Sequence, residues 1–546
     1  MDELSAEILA GLPAAFIAGP TLIADWIVVW PLALPLIGAA ILLMGRSRSA
    51  WQASFALAVL VATLLSEALL VQRVIESGPV VMTMSRWLPP FGISFAADML
   101  GASFALVAGI VSIVVLLYSQ SEVELRETRY GYYSLLLLLL AGVNGAFLTG
   151  DVFNLYVWLE VLLISSFGLM IMGGRKIQLD GAVKYGFISL LGTTFFLIAV
   201  GLLYGLLGTL NMADIVRVAP DADPVAMSGI AGLFLLALGM KAAAFPVNAW
   251  LPASYHTPDP TISALFGGLL TKVGVYAIIR ILGQLLPANV ARDWALIRGP
   301  NFAPFEFGVS LNLVIALIAG ATLILAPLGA MAETNLRRAI GFLVIGGIGA
   351  MLAGVALGTS GGIFGAAIYA LHSMLTITGL YLVAGLIERA TGTTDTRRMG
   401  GLYQFSSPLS ILFICLVFAV SGLPPFLGFW PKFVLVQAGL GGESYGLAAA
   451  ILLNAFLTIV AGSRLWSHIF WRNGREGDGS EAPNPNLKPL QLKDRWWGLV
   501  PAATLTLAIV LLGLWPAPLF LAGSRAAAGI VDPTAYVDSV SPVGAP

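Results

Sequence analysis

Apolar residues along this chain run in stretches of about 20, separated by short breaks rich in glycine, proline or charge. A helix rising about 1.5 Å per residue needs about 20 residues to cross about 30 Å of hydrocarbon, so each stretch has the length of a membrane span. The pattern predicts spans near 26–45, 52–75, 98–118, 132–150, 152–173, 181–207, 229–251, 261–283, 309–331, 339–358, 361–387, 408–439, 444–470 and 497–521. That makes about fourteen helices and an all-α polytopic membrane protein, since a helix satisfies its own backbone in lipid. The stretch from Ile8 to Leu22 is also apolar, but prolines and glycines interrupt it, and it reads as an extra N-terminal or interfacial helix.

Composition agrees with a protein held in a lipid bilayer: 58% of the 546 residues are hydrophobic and 10% are charged. The net charge of -1 offers no basic face for nucleic acid. The acidic start "MDELSAEIL" is unlike a cleaved signal peptide. A single cysteine, Cys415, supports neither an internal disulfide nor a metal site. The sequence contains no glycine-rich phosphate loop, no His-Glu-x-x-His and no Gly-x-Ser-x-Gly, so no cofactor, metal or covalent chemistry is expected.

Charge gives an orientation. Of 28 lysines and arginines, 18 fall in the loops after odd-numbered spans and seven on the other side, which assigns the odd loops to the cytoplasm and both termini to the outside. The polar run from Arg472 to Pro489 reads as a mobile cytoplasmic linker. Three lysines remain, Lys241, Lys272 and Lys432, each inside a span. A charged lysine in hydrocarbon costs about 2.5–3.5 kcal/mol, which must be recovered through a partner, water or function. Because burial disfavours the ammonium, such a lysine can take up and release protons. Glu160 is expected to be the only acidic residue near the middle of a span, and Glu160 with Lys241 is the candidate ion-pair switch; the alternative is a static pair that fixes helix register.

Two of the lysine spans carry helix breakers. Pro246 and Pro252 follow Lys241, and Pro424, Pro425 and Pro431 precede Lys432. Proline removes a backbone donor, and in lipid the freed carbonyls must face protein or water. The broken spans are the seventh and twelfth, so spans 4–8 and 9–13 form two five-helix repeats whose odd number inverts one against the other, a pattern that points to a transport site. The expected division is 1–120 for N-terminal helices, 121–285 and 305–471 for the repeats, 472–496 for the linker and 497–546 for a last helix and tail.

Of three histidines, His372 lies mid-span and suits proton transfer, or packs as a hydrogen-bonded core residue. His256, in the break between spans 7 and 8, is a point of proton intake or a plain loop residue, while His468 beside Trp466 and Trp471 is interfacial. Lys184 is an interface cation that would support the Glu160–Lys241 pair.

These residues together resemble the antiporter-like membrane subunits shared by respiratory complex I and the multisubunit Mrp-type cation/proton antiporters. The resemblance covers about residues 95 to 475, and "KAAAFPVNAWLPASYHTPDPTISALFGGLLTKVGVYAIIR" and "RRMGGL" are its most specific parts. Within the family, "SGLPPFLGFWPKF" and "SRLWSHIFWR" look most like the D-type Mrp subunits. The resemblance implies Glu160 and Lys241 as the switch, Lys272 as central proton carrier, His372 as a link and Lys432 as terminal exchange residue. It also implies Mrp-type partner subunits, exchange of protons against Na+ or K+, and a place in the bacterial inner (cell) membrane. A proton-pumping subunit of complex I or of a membrane-bound hydrogenase is the alternative. One position departs: several relatives carry a lysine four residues after the span-11 histidine, where this chain has Thr376, so the step from His372 to Lys432 leans more on water.

Overall fold

The computed structural model describes residues 23–47, 49–87, 89–286, 310–472, 484 and 486–540. The expected N-terminal helix at 8–22, the loop arginines Arg292 and Arg298, and residues 473–483 and 485 of the 472–496 linker lie outside the described residues.

In chain order the apolar helices are α1 Trp30–Met44, α2 Gln52–Ser77, α3 Met99–Ser119, α4 Tyr132–Leu148, α5 Val152–Met170, α6 Lys176–Leu207, α7a Pro224–Ala242, α8 Pro260–Leu285, α9 Leu311–Ala332, α10 Leu336–Leu357, α11 Ser360–Thr391, α12a Ser407–Ser421, α13 Tyr445–Trp471, α14 Asp494–Leu514 and α15 Ala517–Val531. Two short helices, α7b Trp250–Tyr255 and α12b Phe429–Gly441, complete the broken seventh and twelfth spans. Eleven of these helices are long and apolar enough to cross a membrane. The expected first, fourth and twelfth spans are filled by the shorter α1, α4 and α12a, so the count of about fourteen is not met by length. Proline marks one end in two cases: α1 starts with Pro31 in its first turn, after a separate 3-10 turn at Ile23–Val28, and α12a stops at Gly422 just before Pro424 and Pro425. The expected last span is also divided, between α14 and α15 at Trp515 and Pro516.

The chain is not wholly helical. Between α2 and α3, β1 (Val80–Thr83) pairs antiparallel with β2 (Ser94–Ala97), Val80 opposite Ala97 and Thr83 opposite Ser94. Isolated bridges tie Phe95 to Thr149 and Asp151 to Asn211, so the hairpin also braces the α4–α5 turn.

Burial separates the helices into an axis and a shell. The apolar windows of α8 and α11 are 100% buried, against 28% in α2 and 39% in α6, α9, α13 and α14. The two enclosed helices carry Lys272 and His372. At one end of α8, Arg280 is 1% exposed and holds Asp98, the residue that caps α3, through two contacts of 2.7 Å. Gln284 Oε1 and the Tyr276 hydroxyl accept from the same guanidinium at 2.7 and 2.9 Å. Arg280 is therefore not the loop cation that the charge count takes it for. Asp98 also accepts from Gly101 N–H at 2.9 Å, so one carboxylate closes the start of α3 and neutralises the end of α8.

Removing one member of a buried pair leaves the other uncompensated at about 3–5 kcal/mol. Asp98→Ala is expected to lower the melting temperature of the assembled protein clearly and Arg280→Met with Asp98→Leu to restore part of it, read by thermal shift in detergent.

Candidate proton path through the membrane

The first break forms where Ala243 turns left-handed (φ 60°, ψ 47°), stopping α7a one turn before Pro246. The carbonyl of Met240 accepts from Ala243 N–H at 3.3 Å and from the Trp250 indole N–H at 3.0 Å, and Phe245 N–H donates to Thr322 of α9 at 3.1 Å. Lys241 lies in the last turn of α7a and is half-buried. It lines a cavity of about 20 Å³ together with Tyr185, Ser189, Trp250, Tyr255, Leu270 and Gly274, space for about one water with polar neighbours to hold it. Glu160 of α5 is within electrostatic reach of Lys241 and of Tyr185. The two charges do not touch: no ion pair within 4.0 Å joins them, and Glu160 Oε1 is buried without a hydrogen-bond partner. Lys184 pairs with Asp180 one turn away at 2.5 Å on an exposed face, and the structure does not bring it to Glu160 or Lys241.

Lys272 is fully buried in α8 and donates to the carbonyl of Gly267 at 2.6 Å. That carbonyl lies in a π-helical turn, Phe266–Leu270, which widens α8 one turn before the lysine. The neighbouring Leu270 and Gly274 wall the Lys241 cavity, so the helix that carries Lys272 forms one side of it.

His372, 1% exposed on α11, is within electrostatic reach of both Lys272 and Lys432. Its Nδ1 lies 3.0 Å from the hydroxyl of Thr376, which is fully buried. Its Nε2 faces the second break: a Cβ at Gly428 would lie 2.9 Å from Nε2 and 1.8 Å from the Ala419 carbonyl oxygen. In that break Gly422 adopts φ 86°, a conformation that favours glycine, and the chain passes Pro424 and Pro425 before α12b begins. Lys432 reaches back from α12b and donates to the Ser421 carbonyl at 2.9 Å, the last residue of α12a. Asn454 Oδ1 of α13 lies 3.5 Å from the same ammonium, and Asn454 Nδ2 donates to Leu323 of α9 at 2.8 Å.

His256 caps α7b, with Nδ1 2.8 Å from the Pro252 carbonyl. Burial pushes its pKa down to about 4, with further lowering from Arg338, Arg337 and Lys184. Beside it, Asp259 pairs with Arg175, and Glu122 accepts from Thr261 at the start of α8. His468 lies in the last turn of α13 and is buried rather than exposed.

Sequence reasoning misses several polar residues that the fold encloses. Glu67 of α2 is 0% exposed and accepts from Asn144 Nδ2 at 2.8 Å, so Glu160 is not the only acidic residue deep in a span. Asn454, which clamps Lys432, stands alone in "ILLNAFLT", and that isolated amide in an apolar run is the signal that could have found it.

Two outcomes are expected. Gly428→Ala forces a methyl into the Ala419 carbonyl, so the break must open and antiport in vesicles should fall at least tenfold. Because the His256 ring is neutral between about pH 6 and 9, His256→Gln should change the antiport rate without moving its pH profile in that range; a shifted profile would show that the ring titrates there.

Comparison with known proteins gives the family and the fold. The family profile described as "NADH:quinone oxidoreductase/Mrp antiporter, TM" matches residues 149–299 and 295–458. The D-type subunit of the Na(+)/H(+) antiporter of Alkalihalophilus pseudofirmus is 34% identical over 516 residues, covering 94% of this chain and 99% of that protein. Among solved structures, a chain of the Mrp complex from Dietzia sp. DQ12-45-1b is 29% identical with TM-score 0.85, covering 95% of this chain and 100% of that one. A chain of respiratory complex I from Thermus thermophilus, 23% identical with TM-score 0.75 over 92% of this chain and 99% of that one, shares the fold. The breaks in the seventh and twelfth spans and the buried lysines thus sit on a shared scaffold, and the chain belongs to the membrane-subunit family common to NADH:quinone oxidoreductase and the Mrp antiporters.

Proposed function

We propose that this chain is the proton-translocating subunit of a multisubunit monovalent cation (Na+ or K+)/proton antiporter of the bacterial cell membrane, working with other Mrp-type subunits. It is a transporter subunit rather than an enzyme. The observation that carries the reading is the set of ionisable groups placed inside the spans, Glu160 and Lys241 half-buried and Lys272, His372 and Lys432 buried, with Lys241 beside one helix break and Lys432 beside the other. The two halves, 121–285 and 305–471, then act as inverted repeats around this set. The redox-driven alternative has less support, because the likeness to complex I is lower in both identity and TM-score.

In this reading Glu160 is the switch. When its carboxylate closes on Lys241 it holds the ammonium charged; when it withdraws, Lys241 passes its proton through the water-sized cavity toward Lys272. Lys272 is held by one carbonyl, a bond that either protonation state of the amine can exchange for water. His372, with Thr376 on one ring nitrogen and the open break on the other, carries the proton toward Lys432. Lys432 discharges it on the far side of the second break.

The test uses the complete complex in sealed vesicles, with assembly checked on native gels. Lys432→Ala should abolish antiport while the complex still assembles. Lys432→Arg should fail as well, because a guanidinium stays charged and cannot release its proton; a fully active Lys432→Arg would show a static anchor and overturn the exchange role. Glu160→Gln keeps the shape and removes the charge, so transport should drop by at least tenfold with normal expression, and an unchanged rate would make the pair structural.

A further inference from the structure

Three helix ends meet at the cation-rich face of the molecule: the end of α11 near Ala390, the start of α12a at Ser407 and the start of α14 at Asp494. Between them lies an open groove of about 850 Å³. Its lining is mostly apolar, with Leu490, Leu492, Leu499 and Val500, and two cations, Lys488 and Arg495, line it as well. Among the described residues no acidic side chain lines the groove, and neither cation has a salt-bridge partner within 4.0 Å. The nearest acid in sequence, Asp494, is taken by Arg389 at 2.6 Å. Lys488 is fixed in place by its backbone, whose N–H donates to the Ala390 carbonyl at 2.8 Å. The mouth is aromatic: Trp496 is 65% exposed and Phe405 43%.

The start of α12a faces the same space. Ser406 caps that helix without a side-chain hydrogen bond and Pro408 has no N–H, so the N–H groups of Ser407 and Leu409 are left without a capping oxygen. An anion at this point gains from the helix dipole and the free N–H groups. Cations, unsatisfied donors, an apolar trough and a tryptophan at the level where spans begin make a surface that is complementary to one kind of molecule, with a phosphate on top and acyl chains below.

We propose that this groove binds an anionic phospholipid, the phosphate on Lys488, Arg495 and the start of α12a, and the acyl chains along Leu492, Leu499 and Val500. The lipid would sit where α11, which carries His372, meets α14, whose Gly513 carbonyl accepts from the Trp430 indole of α12b at 2.8 Å. The bound lipid therefore bridges the enclosed helix and the helix that braces the second break. Free phosphate would leave the apolar lining of Leu492, Leu499 and Val500 uncovered, and the site commits to lipid.

The test is made on the complete complex reconstituted in phosphatidylcholine vesicles, with bromine-labelled phosphatidylglycerol or bromine-labelled phosphatidylcholine added as quencher. Fluorescence assigned to Trp496 is taken as the difference between the parent and Trp496→Phe. Phosphatidylglycerol should quench it at a concentration at least fivefold lower than phosphatidylcholine, and Lys488→Ala with Arg495→Ala should erase that preference while the complex stays assembled. Inorganic phosphate at millimolar concentration should not restore the unquenched signal. Equal quenching by the two lipids would reduce the groove to a generic lipid contact and overturn the proposal. No quenching by either would mean that another subunit covers it, which overturns the proposal equally. Displacement of the lipid by inorganic phosphate would show an anion site without a lipid tail, and would also refute it.

Discussion

An ammonium inside hydrocarbon needs an oxygen, and a helix broken inside hydrocarbon needs a donor for the carbonyls it frees. This protein meets the two needs with each other. The carbonyl of Ser421, orphaned where α12a stops, is taken by Lys432, and the carbonyl of Gly267, in the widened turn of α8, is taken by Lys272. Neither lysine could stay in its span without that oxygen, and neither irregular turn could stay in lipid without a donor. At Lys432 the break and the buried charge are thus one feature seen from two sides, and Pro424, Pro425 and Lys432 stand together in the sequence.

Much of this is legible in the amino-acid sequence alone. Lys241, Lys272, Lys432 and His372 stand out because a charged or titratable residue is rare in an apolar run, and Pro246, Pro424 and Pro425 mark breaks by local chemistry alone. What could not be read depends on which helix faces which. Arg280 is close enough to the end of its span to pass for a snorkelling side chain, and only the approach of Asp98 from α3 makes it an enclosed ion pair. Span length misleads for a related reason: α1 begins only at Trp30 with Pro31 in its first turn, α4 ends where the cap of α5 begins, and α12a stops before Pro424, while the hydropathy pattern runs on past those points.

Glu67 marks the limit of reading residues one at a time. It lies in α2, fully enclosed by neighbours on α1, α3 and α4. None of those three helices contains a lysine, arginine or histidine, so the carboxyl has an amide partner, Asn144, and no counter-ion on the helices that enclose it. Glu160, by contrast, has Lys241 within reach across the bundle. Two acids in apolar runs thus have opposite surroundings, and the difference is set by the composition of the helices around them rather than by their own position along a span.

The two ends of the lysine row also differ in a way that bears on direction. At the first break the carbonyl of Met240 is taken by the Ala243 N–H and the Trp250 indole, so Lys241 is not needed there and is left facing a water-sized cavity and an acid that does not touch it. At the second break the ammonium itself satisfies the backbone, and Asn454 holds it from the other side while being tied to α9. Lys241 can therefore exchange partners at little cost to the backbone, whereas Lys432 can leave its carbonyl only if water or a neighbouring donor replaces it. A loose first site and a clamped last one make the step at Lys432 the one that must be coupled to a change in α12, and the indole of Trp430, bonded to Gly513 of α14, is placed to carry such a change between the break and the C-terminal helices.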